Sequence, residues 1–147
     1  MERKHLIARR ELESVEETRI QAARLRSEIR YLEDRCTSMT RSYGEHTGGS
    51  GRIRPELWDR LAERKALLEV QEQVLMQREL EAARKIDLLP KARWRMVLRC
   101  RYLEGMELHD VAVALTRATG RPFNMNQVYR LHSAALAAME EMEELVQ

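Results

Sequence analysis

Aromatic residues and cysteine are scarce in this sequence. Of its 147 residues, one is Phe, two are Trp and four are Tyr, whereas charged residues make up 34%. So few large apolar side chains do not fill a large compact core, and long solvated helices with narrow apolar seams fit better. Cys36 and Cys100 stand alone, without the spacing of a structural zinc site or a disulfide framework. We therefore expect an all-α protein of a reducing cytoplasm, with no metal and no cofactor.

Long apolar runs and catalytic motifs are also missing. No run approaches the roughly 18 apolar residues that would indicate a membrane span, and the N-terminal residues MERKHLIARRELE are charged throughout, unlike a signal peptide. No Ser stands in a GxSxG motif. The four histidines are scattered along the sequence: His5, His46, His109 and His132. We expect no contact with a membrane, no enzymatic activity and no catalytic residues.

The net charge of +2 hides an uneven distribution. Residues 1–87 carry 18 Lys and Arg against 17 Asp and Glu, and residues 88–136 carry eight against three. Residues 137–147 carry four Glu and no basic residue. The basic excess thus lies on one segment, which is the distribution that a phosphate-binding surface needs, although an ordinary solvated helix surface also accounts for it.

Two long helices are predicted before residue 88. From about Arg3 to Met39 two apolar series recur every seven residues, in the a/d pattern of a coiled coil. The first series is Ala8, Val15, Ala22, Ile29 and Cys36, and the second is Thr18, Leu25, Leu32 and Met39. A flexible loop is predicted over residues 40–54, which hold four of the six glycines. The second helix is predicted from Pro55 to about Asp87.

The seam of the second helix again repeats every seven residues, at Leu61, Leu68, Leu75 and Ala82. Two amphipathic helices joined by a flexible loop favour a long antiparallel, coiled-coil-like hairpin over residues 1–87. The same seam also suits pairing with a second copy of the chain, as a homo-oligomer through the N-terminal helices. Leu88-Leu89-Pro90 breaks the pattern, and a second domain is predicted over residues 88–147.

Three shorter helices are predicted after Pro90. The first covers about Lys91 to Leu103 and is closed by Gly105, a residue suited to a left-handed C-cap. The second covers about Leu108 to Ala118, with its apolar residues on one face. The third begins near Asn124 or Asn126, either of which can cap it, and runs to about Leu145. This order is typical of a small helix-turn-helix domain.

Polar side chains occupy the outer face of the third helix in its first two turns: Asn126, Gln127, Arg130 and Ser133. A recognition helix places its N-terminal residues against base edges in the major groove. Asn and Gln pair with adenine through two hydrogen bonds, and Arg pairs with guanine in the same way. The pattern therefore predicts binding of double-stranded DNA, with the acidic end of the helix, Glu140 to Glu144, lying away from phosphate.

The same segment resembles a known family. The residues that carry the resemblance are Leu89-Pro90, VLRCRYLEG from Val97 to Gly105, Val111-Ala112, QVYRLH from Gln127 to His132, and Ala135-Leu136. In this order they are similar to sigma-factor region 4, and more closely to small sigma-like transcription regulators of phages and prophages. The resemblance covers residues 88–137 in detail. It implies control of transcription near a phage promoter, in the cytoplasm of a bacterial host and in contact with host RNA polymerase.

By that resemblance, Asn126, Gln127 and Arg130 would reach bases, and Arg117, Arg121 and Ser133 would contact phosphate. One departure from the family concerns spacing. Ala112 and Val128 are 16 residues apart, whereas the region 4 pattern has about ten, and the extra residues fall within 116–125. Either the preceding helix is longer or the turn is replaced by a loop, with Phe123 entering the core.

Two rival functions use the same elements. Terminase small subunits of phages also combine a helix-turn-helix with long helical hairpins, and they form rings that recognise DNA for packaging. A coiled-coil protein adaptor would instead bind only other proteins. A steep loss of DNA affinity with salt distinguishes a DNA-binding protein from an adaptor.

Overall fold

A computed structural model describes residues 6–45 and 55–146 of the chain. These residues form five α-helices and one π-helical turn, and no strand occurs among them. The helices are α1 (Leu6–Glu45), α2 (Pro55–Asp87), α3 (Ala92–Leu98), α4 (Leu108–Thr119) and α5 (Met125–Val146), and the π-helical turn (Arg99–Leu103) directly follows α3. The all-α prediction is confirmed for this part of the chain. None of the described helices is long and apolar enough to cross a membrane.

The apolar seam predicted for α1 is buried. Both heptad series lie at or below 8% exposure from Ala8 to Cys36; the Met39 side chain lies outside the described residues. The helix continues to Glu45, so the loop predicted from Thr40 is wrong over its first six residues. Residues 40–43 contain no Gly or Pro, and each residue that extends a helix adds a backbone hydrogen bond. The rest of the predicted glycine-rich loop, residues 46–54, lies outside the described residues.

The chain divides into two compact units, each built from parts of both long helices. One, called here the distal unit, contains Thr18–Leu75. Its described core contains Ile29, Leu32 and Cys36 of α1 with Leu61 of α2. Glu28 pairs with Arg60 and Arg64 at 3.1 and 3.2 Å, and Arg26 pairs with Glu72 at 3.2 Å. Within this unit, α1 and α2 therefore pack along apolar seams that are flanked by ion pairs.

The other compact unit, called here the terminal unit, combines α1 up to Glu17 with the chain from Met76 onward. The sequence-based division at residue 88 follows the end of α2, whereas the compact units divide within α1 and α2. Helices α3, α4 and α5 enclose a core from which water is excluded. Its buried members are Val97, Cys100, Val111, Ala112, Leu115 and Val128. These residues come from all three helices and from the π-helical turn, so they fix the orientation of α4 and α5.

The helix predicted over residues 91–103 changes its geometry at Arg99. From there it continues as the π-helical turn, in which the N–H of Glu104 donates to the carbonyl of Arg99 at 3.0 Å. Gly105 then adopts a φ of +73°, as predicted for a left-handed C-cap. The turn places both Cys100 and Tyr102 in buried positions.

Candidate nucleic-acid interface

The connection between α4 and α5 is ordered by a network around Thr116. Gly120 ends α4 with a φ of +72°, a conformation that glycine adopts without a Cβ penalty. The Thr116 hydroxyl donates to the carbonyl of Ala112 at 2.9 Å and accepts the backbone N–H of Phe123 at 3.1 Å. The residues between Ala112 and Val128 therefore lengthen α4 to Thr119 and form an ordered connection from Gly120 to Asn124.

Phe123 fastens this connection to the domain. Its ring is half-buried and packs against the core of α3, α4 and α5, as expected from the sequence. The guanidinium of Arg93 lies over this ring, 5.5 Å from the ring centroid, within the range of a cation–π contact. The start of α5 is consequently held in place relative to α3 and α4.

Asn124 and Gln127 cap the start of α5 reciprocally. The backbone N–H of Gln127 donates to Asn124 Oδ1, and the backbone N–H of Asn124 donates to Gln127 Oε1, both at 2.9 Å. This is the capping-box arrangement with amide side chains at both positions. Of the two caps that the sequence allows, the structure uses Asn124. The Oε1 atom of Gln127 is engaged, so a bidentate contact to adenine from this residue would require the capping bond to open.

Replacing Asn124 with Ala should lower the free energy of unfolding by about 1 kcal/mol, because one N–H of the first turn of α5 loses its acceptor. Urea denaturation followed by circular dichroism measures this change. Asn126→Ala is the matched control, because Asn126 is exposed within the first turn and makes no capping bond. Equal destabilisation by both variants would contradict the capping role of Asn124.

The outer face of α5 is polar and open. Asn126, Arg130 and Ser133 are all exposed, while Val128 and Ala135 are fully buried on the inner face. Tyr129, which sequence reasoning did not select, is 50% exposed and shares the outer stripe at the i, i+3, i+4, i+7 spacing. Its signal in the sequence was this spacing from Asn126, which placed an aromatic ring on the polar side.

The basic residues of positions 88–136 fall into two groups. Five are engaged by other groups of the protein, as salt-bridge partners, hydrogen-bond donors or cations over aromatic rings: Lys91, Arg93, Arg95, Arg99 and Arg101. The side chains of Arg117, Arg121 and Arg130 are exposed and form no ion pair with the described residues. These three residues are called here the free arginines, and they occur at the end of α4, in the connection and at the start of α5.

The acidic end of α5 is engaged within the terminal unit. Glu140 accepts the backbone N–H of Ala8 at 2.7 Å. Lys85 contacts Glu143 at 2.5 Å and Glu11 at 2.7 Å. Burial raises the pKa of Glu11, whereas the hydrogen bond from Lys85 lowers the pKa of Glu143. Glu140 and Glu143 therefore interact with α1 and α2, while the free arginines belong to the other end of α5 and to the residues that precede it.

One buried polar pair escaped the sequence analysis. The Tyr102 hydroxyl and His132 Nε2 are 2.8 Å apart, and the two rings are stacked with centroids 5.7 Å apart. Burial lowers the pKa of His132 to about 4, helped by the charges of Arg9 and Arg101.

Burial raises the pKa of the Cys100 thiol to about 11, which leaves it protonated and unreactive at neutral pH. The described residues include no group of three or more His, Cys, Asp or Glu that could hold a metal ion.

No protein-family model, curated protein or solved structure matches the chain significantly. The geometry of α4 and α5 and the charges around them are therefore the features of the molecule that bear on its function.

Proposed function

We propose that this protein is a DNA-binding transcription regulator of the sigma-like phage type. In this proposal, α4 and α5 form a helix-turn-helix, with α5 entering the major groove of duplex DNA. The long helices α1 and α2 form an antiparallel, coiled-coil-like hairpin. The site of action would be a promoter in the bacterial cytoplasm, together with host RNA polymerase.

The observation that carries the proposal is the position of the free arginines. Most basic side chains of residues 88–136 are engaged by the protein itself, yet Arg117, Arg121 and Arg130 remain exposed around one helix–helix connection. Arginines without an internal carboxylate are available to phosphate oxygens, which supply most of the affinity of proteins for DNA. The connection next to them is held by the hydrogen bonds of Thr116 and by the packing of Phe123, which position the arginines relative to the core.

Different side chains would perform different parts of recognition. Asn126 and Arg130 lie on the outer stripe of α5, where base edges would be read. Arg117, Arg121 and Ser133 would contact phosphate and position the helix without reading sequence. The Tyr129 hydroxyl, on the same stripe, is a further donor for a phosphate oxygen.

Selection of bound fragments from the host and phage genomes, followed by sequencing, tests the proposal directly. Enrichment of fragments that lie upstream of genes is expected of a transcription regulator. Enrichment of a packaging site, together with a ring of eight or more copies in light scattering, would favour a terminase small subunit instead. Negligible binding to every duplex at low salt would contradict DNA binding altogether.

Replacing Arg130 with Ala should weaken binding to the selected sequence by about 1–3 kcal/mol, because a bidentate contact to guanine is lost. Binding to an unrelated duplex should change less. Fluorescence anisotropy on both duplexes measures the difference. Arg117→Ala is the matched control, because loss of a phosphate contact should weaken both complexes equally. An equal loss on both duplexes for Arg130→Ala would make Arg130 a phosphate contact as well.

A further inference from the structure

Two hollows lie between α1 and α2 in the distal unit, and their lining residues follow one another along α1 at helical spacing, so the two together are called here the groove. Its first part, about 220 Å³, lies beside Gln21, Arg24 and Leu67, and its second part, about 360 Å³, lies beside Tyr31 and Arg35. From Gln21 to Arg35 the α1 side covers 15 residues, and the 14 rises of about 1.5 Å between them give a length of about 21 Å. The groove therefore has the length of about four helical turns.

The groove exposes apolar surface that the two helices leave uncovered. Tyr31 is 57% exposed and Leu67 is 40% exposed, while Leu25 and Leu32 from the seam contribute buried atoms to the lining. Large exposed apolar side chains beside a groove are typical of a surface that receives an amphipathic helix.

Positive charge is concentrated along this groove. Arg24, Arg35 and Arg60 line it, and Glu28 is the only acidic residue among its lining residues. Glu28 is shared between Arg60 and Arg64, and Arg35 is held against Tyr31 by a 2.9 Å hydrogen bond that leaves its charge uncompensated. Across the described residues of the distal unit as a whole, by contrast, nine basic residues balance nine acidic ones.

We propose that this groove binds an acidic amphipathic helix of a partner protein, about 14 residues long. The apolar face of that helix would cover Tyr31 and Leu67, and its flanking Asp and Glu residues would meet Arg24, Arg35 and Arg60. A second copy of the chain is disfavoured at this groove, because its own groove would bring like charges together. The proposal is independent of DNA binding, because it concerns the distal unit and none of the free arginines.

The test is a display library of 16-residue helical peptides, panned on the full chain. Leucines are fixed at helical spacing, and the remaining positions are randomised among Glu, Asp, Lys, Arg and Gln. We expect acidic peptides to be enriched. Anisotropy of a labelled selected peptide should then show about tenfold weaker binding, or more, for Arg24→Glu combined with Arg35→Glu and for Leu67→Gln. Circular dichroism verifies that each variant remains folded.

Two matched controls use exposed side chains that do not line the groove. Arg30→Glu changes the charge of α1, and Trp58→Gln removes an exposed apolar side chain of α2; both should leave the affinity unchanged. Enrichment of basic or neutral peptides, no enrichment, or equal effects of groove and control variants would overturn the proposal. So would self-association in sedimentation that Leu67→Gln abolishes, or duplex DNA binding that depends on Arg24 and Arg35.

Discussion

Replacing Arg117, Arg121 and Arg130 together with Gln is expected to weaken binding to an unrelated duplex about 60-fold at about 0.1 M monovalent salt, through the lost phosphate contacts of Arg117 and Arg121. Each phosphate contact releases roughly 0.9 counterion from B-DNA, so two lost contacts lower the slope of log K against log salt by about 1.8. The difference in affinity between the two proteins therefore grows as the salt concentration falls. It should nearly vanish at 1 M salt, where counterion release supplies little free energy.

Anisotropy titrations measure this slope at several salt concentrations between about 0.05 and 0.5 M. This range includes 0.1 M, where the Debye length is about 10 Å. The matched control replaces Arg10, Arg30 and Arg84 with Gln. These three residues are also exposed, and their replacement changes the net charge by the same amount. If the control loses as much affinity and slope as the test variant, DNA responds to net charge and the α4–α5 connection is not the binding surface.

Acid is expected to destabilise the protein by about 3 kcal/mol through His132 alone. The folded-state pKa of this residue is about 4, against an ordinary value of 6.5, chiefly because burial disfavours the charged ring. A lowered pKa means that the unfolded chain binds the proton more readily. The contribution is absent above pH 6.5 and grows as the pH falls from 6.5 to 4, at about 1.4 kcal/mol per pH unit.

Urea denaturation of the parent and of His132→Gln at pH 7, 5.5 and 4 isolates this contribution. Gln does not titrate, and its amide can still pair with the Tyr102 hydroxyl. The variant should be less stable at pH 7 but should lose about 3 kcal/mol less than the parent on acidification. His109→Gln is the control, because it removes an exposed imidazole in place of a buried one. Parallel pH profiles for the parent and His132→Gln would contradict a buried neutral imidazole.

Periodicity was sufficient to predict the long helices. The heptads of α1 place one residue in the seam at each turn, and the structure buries those residues from Ala8 to Cys36. Pro55 and Asp87 were predicted as the ends of α2 and are its ends. Such signals are strong because many residues repeat the same apolar spacing. The predicted end of α1 was wrong because Thr40 does not stop the helix, which continues through Gly44 to Glu45.

The details of the candidate site depend on contacts between distant residues, which a single sequence does not display. Asn124 and Asn126 have the same capping chemistry, and only the geometry of the connection selects Asn124. His132 shares the inner-face spacing of Val128 and Ala135, but that spacing does not show that Tyr102, 30 positions earlier, is its hydrogen-bond partner. Likewise, arginine occurs both among the basic residues engaged within the protein and among the free arginines, so residue type does not tell the two groups apart. Tertiary structure separates them by giving carboxylates or aromatic rings to some and not to others.

The ion pairs of Lys85 and the hydrogen bond from Ala8 to Glu140 affect how the terminal unit unfolds. The last turns of α5 carry four glutamates beside the negative end of the helix dipole, an arrangement that favours fraying. Glu140 holds an amide in the first turn of α1, and Lys85 near the end of α2 links Glu143 to Glu11. The start of α1, the end of α2 and the end of α5 are far apart in sequence, and because these contacts join them, they open together. Amide hydrogen exchange at the start of α1 and at the end of α5 is then governed by one shared opening equilibrium.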